Sequence, residues 1–374
     1  MRFSLSSSAL SNNLGNLSKV ISNKNSMPIL DCFLFEIQDG QLTITASDSE
    51  NVLKAINQLD ESDGNGVFAV SSQKILGAVR ELPEQPLTFE VDVENNTICV
   101  LYQYGMYNFT TQNAEEYPRI QFAPTEVTTI TMDAGVLLNN ISRTLFATAS
   151  EELRPVMNGI YFDITPEYLA IVASDGSKLV RNRNYTVKAE TPTSFILPKK
   201  PATLLKNILN KESGDVVIQF DSRSAVISFT EGKLTCRLIE GRYPNYNSVI
   251  PQNNPNQLRV ERKMLMSALR RVMPFASESS QLVRFKVEMG KLELSSEDID
   301  FATSARESMV CEYEGVPMQI GFKGSSMTEI LNNLDSDEVV IELADPSRAG
   351  VVFPSKHPEN EEVLMLVMPM LLND

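Results

Sequence analysis

The chain of 374 residues has no tryptophan, a single histidine and only four cysteines. His357 sits in the polar stretch PSKHPENEE, which reads as a solvated loop, so the common Ser/His/Asp and Cys/His nucleophile arrangements are excluded. Cys32, Cys99, Cys236 and Cys311 lie far apart with no C-x-x-C spacing, which argues against a disulfide scaffold and a structural zinc site. No apolar run approaches the roughly 18 residues that cross a bilayer, and residues 1–15 contain no continuous apolar segment. A cytoplasmic location without membrane contact is therefore expected. P-loop and G-x-G-x-x-G signatures are also missing. The expectation is a protein that is not an enzyme, with no catalytic residues, no cofactor and no metal.

What the sequence does have is repetition. LTITASD at 42–48, LAIVASD at 169–175 and LELSSED at 292–298 recur at spacings of 127 and 123 residues. Each is preceded by a strand leading into a helical pattern, with apolar residues recurring at three and four, and is followed by a second strand-and-helix pattern and a strand hairpin. A proline closes each unit, at Pro118, Pro244 and Pro369. The expected fold class is α+β: three homologous domains, each with two helices and antiparallel sheets, spanning 1–125, 126–253 and 254–374. Such a unit buries one face of each helix on its sheet and leaves the other for water or a ligand.

Charge is distributed unevenly. The formal net charge is -15, yet the six predicted helices (7–22, 71–82, 133–150, 198–211, 262–274 and 323–334) hold thirteen basic residues against three acidic ones. The helices thus carry +10 and the remainder -25. A solvated face is the ordinary explanation for one basic helix, but six at matched repeat positions call for a common anionic partner. Helix-borne lysines contact phosphates without reading bases, and nothing resembles a recognition helix, an RNP motif or a zinc finger. The implied mode is sequence-independent contact with double-stranded DNA. The last twelve residues, VLMLVMPMLLND, pose a separate problem, because Val363–Val367 suits a core strand whereas Pro369 cannot donate to a ladder. Met368 to Leu372 are expected to leave the sheet and to need a cover or a partner.

The segments SMPIL (26–30), RPVMNGI (154–160), ASDGSKL (173–179), EGRYPNY (240–246) and VMPM (367–370), in this order, resemble the bacterial sliding clamp family, the beta subunits of DNA polymerase III. The resemblance covers the whole chain. It implies a DNA clamp fold that closes into a ring as a head-to-tail homodimer, with helices lining the hole and sheets outside. It implies a processivity factor that encircles duplex DNA and tethers the replicative polymerase catalytic subunit, the clamp loader and other proteins bearing a clamp-binding motif. Matched residue by residue, the peptide pocket of the family falls on Met157, Ser174, Gly176, Ser177, Lys178, Leu179, Pro244, Ser248, Val249, Leu366, Val367, Met368, Pro369 and Met370. Methionines suit a wall that adapts to several peptides. The DNA-facing set is Lys24, Lys74, Arg80, Arg143, Lys199, Lys200, Lys206, Arg270 and Arg271. Tyr107 and Phe109 would meet Met273, Pro274 and Phe275 across the subunit interface. Two departures bear on partner preference: Ser177 and Lys178 stand where the family commonly has His-Arg, and the usual short ending is here Met370, Leu371, Leu372, Asn373, Asp374.

Rival readings are weaker. SSQK at 71–74 contains S-x-x-K, but neither S-D-N nor K-T-G accompanies it. Asp48, Asp175 and Asp298 recur a domain apart and suit turn formers better than a shared carboxylate site. A structural or scaffolding repeat protein without DNA would not need basic helices.

Overall fold

The computed structural model describes residues 1–22, 25, 27–118, 126–150 and 153–372. Among them are six α-helices: α1 (Ser7–Leu17), α2 (Ser72–Arg80), α3 (Ala134–Thr144), α4 (Lys199–Ile208), α5 (Arg262–Val272) and α6 (Gly324–Asn332). All six coincide with predicted helices but stop earlier. Short 3-10 turns at Leu145–Ala147, Leu209–Lys211 and Met273–Phe275 occupy the predicted C-terminal turns. Helix α1 shows why these segments fold as they do. Ser6 caps it by accepting the Ala9 N–H at 3.1 Å, and Leu10, Leu14 and Leu17 recur on the buried face.

The strands are antiparallel throughout and form sheets of thirteen, nine and five strands. Two compact units result, residues 1–138 with 200–238, and residues 139–199 with 239–374. The first holds the thirteen-stranded sheet, with Phe3 stacked on Phe89 at 4.7 Å and Phe35 on Phe68 at 5.0 Å in its core. The second holds the other two sheets. Its larger core gathers α5, α6 and the five-stranded sheet around Phe285 and Phe322, whose rings meet edge to face at 5.3 Å.

The middle repeat is divided between these units. Its strand Gly232–Arg237 pairs with Asn51–Gln58 of the first repeat, Gly232 opposite Ala55 and Cys236 opposite Asn51. Its strand Lys178–Asn184 pairs with Glu361–Val367 of the third, Lys178 opposite Val367 and Asn184 opposite Glu361. The expected boundary near residue 125 lies outside the described residues.

Candidate functional site

The second unit assembles the tail and the ASDGSKL turn. After Ser174 the chain reverses through Gly176, whose φ of +90° favours glycine. The Asp175 carboxylate fixes the turn by accepting the backbone N–H groups of Ser177 and Lys178 at 2.8 and 3.0 Å. Asp48 accepts from the backbone of Glu50 and Asn51, and Asp298 from that of Asp300 and Phe301, so all three recurrent aspartates are turn formers. The Met368 N–H then donates to the Ser177 carbonyl at 2.8 Å, docking the tail beside the turn.

Strand Glu361–Val367 alternates its side chains between two cores. Leu364 and Leu366 join Leu179, Tyr243, Tyr246 and Ile250, with Val156 packed against them. Val363, Met365 and Val367 belong to the core on the other side. Of the residues carried over from the family pattern, Leu179 and Leu366 are thus in one cluster, whereas Val367 faces away from it. Lys178, opposite Val367 in the ladder, is 8% exposed and lies 2.6 Å from Asp175 and 3.2 Å from Glu329 of α6. Burial alone would lower the Lys178 pKa, but the hydrogen bond and charge of Asp175, then Glu329, hold it above the ordinary lysine value. Burial opposes ionisation of Asp175 too, yet Lys178 and the turn N–H groups hold its carboxyl below the usual carboxylate range. Met157 is buried, with Val156 its neighbour in the cluster. Pro244, Ser248, Val249 and Met368 are exposed, and Leu371 is 84% exposed.

The expectation that Met368 to Leu372 leave the sheet is corrected in part. They leave the nine-stranded sheet, but Pro369 and Met370 pair with Phe322 and Gly321 at the edge of the five-stranded one. An edge position leaves the missing proline N–H without consequence. Gly321 permits the approach, since a Cβ there would stand 2.7 Å from the Met370 carbonyl oxygen.

On the helices, Lys74, Arg80, Lys199, Lys206 and Arg270 are exposed. Lys199 donates to Ser150 at 3.2 Å. Three other cations already hold carboxylates: Arg143 with Glu361 at 2.7 Å, Lys200 with Asp48 at 2.5 Å, and Arg271 with Glu307 at 2.8 Å. Lys200 also donates to the Val20 carbonyl at 2.6 Å. Arg262 of α5, counted among the helix cations, is bound to the carbonyls of Ser336 and Leu331. Lys24 lies outside the described residues.

Two strand edges bear on the expected subunit contact. Strand Gly105–Gln112 pairs with Thr97–Tyr102 over Gly105–Thr110, and with Gly66–Ser71 only at Thr111 and Gln112. Tyr107 and Phe109 are half-buried there, beside Tyr104 and Met106, which are 88% and 60% exposed. Strand Thr303–Val310 ends the five-stranded sheet, packed on α5 and on the Met273–Phe275 turn. Met273 is half-buried, Pro274 and Phe275 are exposed, and Ile299 and Phe301 project from the adjoining turn. The sequence reading missed Tyr243, Tyr246 and this second edge; in TSARESMV only Ala305, Met309 and Val310 are apolar, too few to signal a strand.

Models for the DNA polymerase III beta subunit match the chain in tandem, the N-terminal domain over residues 1–121, the central domain over 131–245 and the C-terminal domain over 247–371. The beta sliding clamps of Haemophilus influenzae and Vibrio cholerae are 28% and 26% identical to it, each alignment covering 100% of both chains. The structure is similar to that of the DNA polymerase III beta subunit from Thermotoga maritima, with a TM-score of 0.90 at 26% identity over the full length of both. The sliding clamp from Pseudomonas aeruginosa bound to griselimycin has a TM-score of 0.93 at 23% identity, again over both full lengths, a likeness of fold.

Proposed function

The chain belongs to the DNA polymerase III beta subunit family and is a DNA polymerase processivity factor, and from that premise we propose how its parts divide the work. Two copies close head to tail into a ring around duplex DNA, with the helix face inward. The polymerase catalytic subunit, a clamp loader and other proteins carrying a clamp-binding motif dock a short peptide beside the tail of the second unit. The observation that carries this reading is the Met368 to Ser177 hydrogen bond. It sets exposed Met368 and the buried Leu179 and Leu366 pair beside the turn that the family pattern marks. Of the fourteen residues carried over to this pocket, Lys178 and Val367 act from behind it, by fixing the turn and the strand.

Closure is proposed to join the edge at Gly105–Thr110 of one copy to the edge at Thr303–Val310 of the next, with Tyr107 and Phe109 near Met273, Pro274 and Phe275. Such unlike surfaces close a ring when the rotation returns on itself. The exposed helix cations Lys74, Arg80, Lys199, Lys206 and Arg270 supply phosphate contact without sequence preference. The contribution to replication is topological and not catalytic. Consistent with that, burial pushes the Cys236 thiol up to about 12, and His357 accepts the Val363 N–H at 3.1 Å as a turn fastener. The proposed partners place the protein in the cytoplasm, and among the described residues no helix is long and apolar enough to cross a membrane. Three clamp domains, 1–125, 126–253 and 254–374, are part of this proposal.

The test is retention after loading on circular against linear DNA at high salt. A ring survives on circles and slides off ends, whereas phosphate binding alone is lost from both. Equal loss from the two would overturn the topological reading.

A further inference from the structure

Residues 243–250 hang an exposed stretch of chain on three buried side chains. Tyr243, Tyr246 and Ile250 are 6%, 5% and 9% exposed, whereas Pro244, Asn245, Asn247, Ser248 and Val249 all lie at the surface. A 3-10 turn at Tyr246–Val249 tightens this stretch, with the Ser248 N–H and hydroxyl both donating to the Asn245 carbonyl, at 3.2 and 2.7 Å. Pro244, Ser248 and Val249 are the members of the proposed peptide site that sit here.

The two tyrosine pegs are held by one strand, Gly159–Ile164, whose side chains alternate between two faces. Ile160, Phe162 and Ile164 are fully buried on one face, with Phe162 stacked on Phe195 at 4.5 Å. Tyr161 and Asp163 are on the other. Tyr161 lies flat on Tyr243, the rings 4.7 Å apart and 1° from parallel, and meets Tyr246 edge to face at 6.2 Å. The Tyr246 hydroxyl donates to the Asp163 carboxylate at 2.7 Å. Burial, then the bond to Asp163 and its charge, raise the Tyr246 pKa above the ordinary tyrosine value, so the phenol stays a donor at neutral pH.

The first repeat is built differently at these positions. Subtracting 127 takes Tyr161 and Asp163 to Leu34 and Glu36. Leu34 packs with Tyr117, which precedes Pro118 as Tyr243 precedes Pro244, but Glu36 faces the Lys54 ammonium at 3.8 Å. Of the two repeats, the one that carries the proposed peptide site is the one that turns this carboxylate on the rim segment.

We infer that Tyr161 and Asp163 are positioning residues of the peptide site, setting Pro244, Ser248 and Val249 through Tyr243 and Tyr246. The inference rests on the peptide site proposed above. The tail is fixed at Met368 by the Ser177 carbonyl, and the rim segment is fixed separately, from strand Gly159–Ile164. A rim already held when the peptide arrives is spared the ordering that binding would otherwise require.

The experiment titrates full-length variants with a labelled peptide bearing leucine and phenylalanine anchors, read by anisotropy, beside urea unfolding of each variant. Tyr246→Phe and Asp163→Ala should each weaken binding by about tenfold, the order of one hydrogen bond to a charged group, and the double variant should weaken it no further. Asp163→Asn, which keeps an acceptor oxygen, should bind within about twofold of wild type. Phe162→Leu, on the opposite face of the strand, should lower the urea midpoint and leave peptide affinity unchanged. Wild-type affinity in Tyr246→Phe and Asp163→Ala, or equal losses in Asp163→Asn and Asp163→Ala, would overturn the positioning role. Affinity falling in step with the urea midpoint across all variants, Phe162→Leu included, would show a role in stability only and overturn it too. Failure of the wild-type protein to bind the peptide would instead overturn the site on which the inference rests.

Discussion

Met368 donates its backbone N–H to the carbonyl of Ser177 at 2.8 Å, and this one hydrogen bond joins the tail to the turn around Gly176. Its counterpart in the first unit is the Arg237 N–H to the Glu50 carbonyl at 3.0 Å, where no methionine follows. The second unit puts Met368 and Met370 at that point, where the first has Arg237 and Leu238.

Deletion of Met368 to Asp374 should leave strand Glu361–Val367 and the fold in place while removing Met368 and Met370 from the proposed pocket. Leaving one peptide anchor exposed forfeits roughly 1.5 to 3 kcal/mol, so binding of a labelled clamp-binding peptide should weaken by about tenfold or more. Titration and sizing of both proteins check it. Equal affinity would remove the tail from the pocket.

Ring closure is expected to rest on apolar edges. Phe109→Glu with Phe275→Glu should convert a species of about twice the 41.6 kDa chain mass to monomer without unfolding it. Raising salt from about 0.1 M to about 1 M, which shortens the screening length from roughly 10 to 3 Å, should leave the wild-type dimer intact. Light scattering reads both, and dissociation by salt alone would point to ionic closure.

Charge reversal should divide the helix cations into two groups. Lys74, Arg80, Lys206 and Arg270 changed to Glu should weaken duplex binding and reduce its salt dependence, with peptide binding unchanged. Arg143→Ala should act on stability instead, by about 3 kcal/mol or more, because it leaves the Glu361 carboxylate buried without its charge partner. Urea denaturation and duplex titration of the same variants separate the two effects.

The Lys178 and Asp175 pair gives a pH signature at both ends of the scale. The Asp175 carboxyl titrates below its ordinary 3.8, so its contribution is present above about pH 4 and is lost as pH falls through the lower folded value. The Lys178 ammonium titrates above its ordinary 10.5, so its contribution is complete below that and is lost as pH rises through the higher folded value. Asp175→Asn should flatten the acid limb of a urea-midpoint profile. An unchanged acid limb would show that other carboxylates dominate it.

Much of this was legible in the chain, and what escaped has common causes. Periodicity at three and four residues locates α1 and α5 because their buried faces repeat, and the aspartate recurring at 48, 175 and 298 marks turns because its carboxylate accepts from the backbone that follows. The destination of a cation is not local. Arg143, Lys200 and Arg271 look alike in a charge count, yet each meets a carboxylate that arrives from a distant strand or turn: Glu361, Asp48 and Glu307. The tail misled for a similar reason. Pro369 correctly ends one ladder, but nothing nearby in sequence announces that Gly321 leaves room for the chain to begin another.

The sharing of the middle repeat between two sheets makes the gene less modular than its threefold pattern suggests. Cutting out that repeat would strand the edge at Asn51–Gln58 on one side and the edge at Glu361–Val367 on the other, each with unpaired backbone groups ready to bind another chain. Expressed alone, the same segment would carry the two complementary edges and invite its own aggregation. The three copies are therefore bound to evolve as one piece: a recombination event that exchanges a single repeat between two such genes must also exchange the strands on both of its flanks.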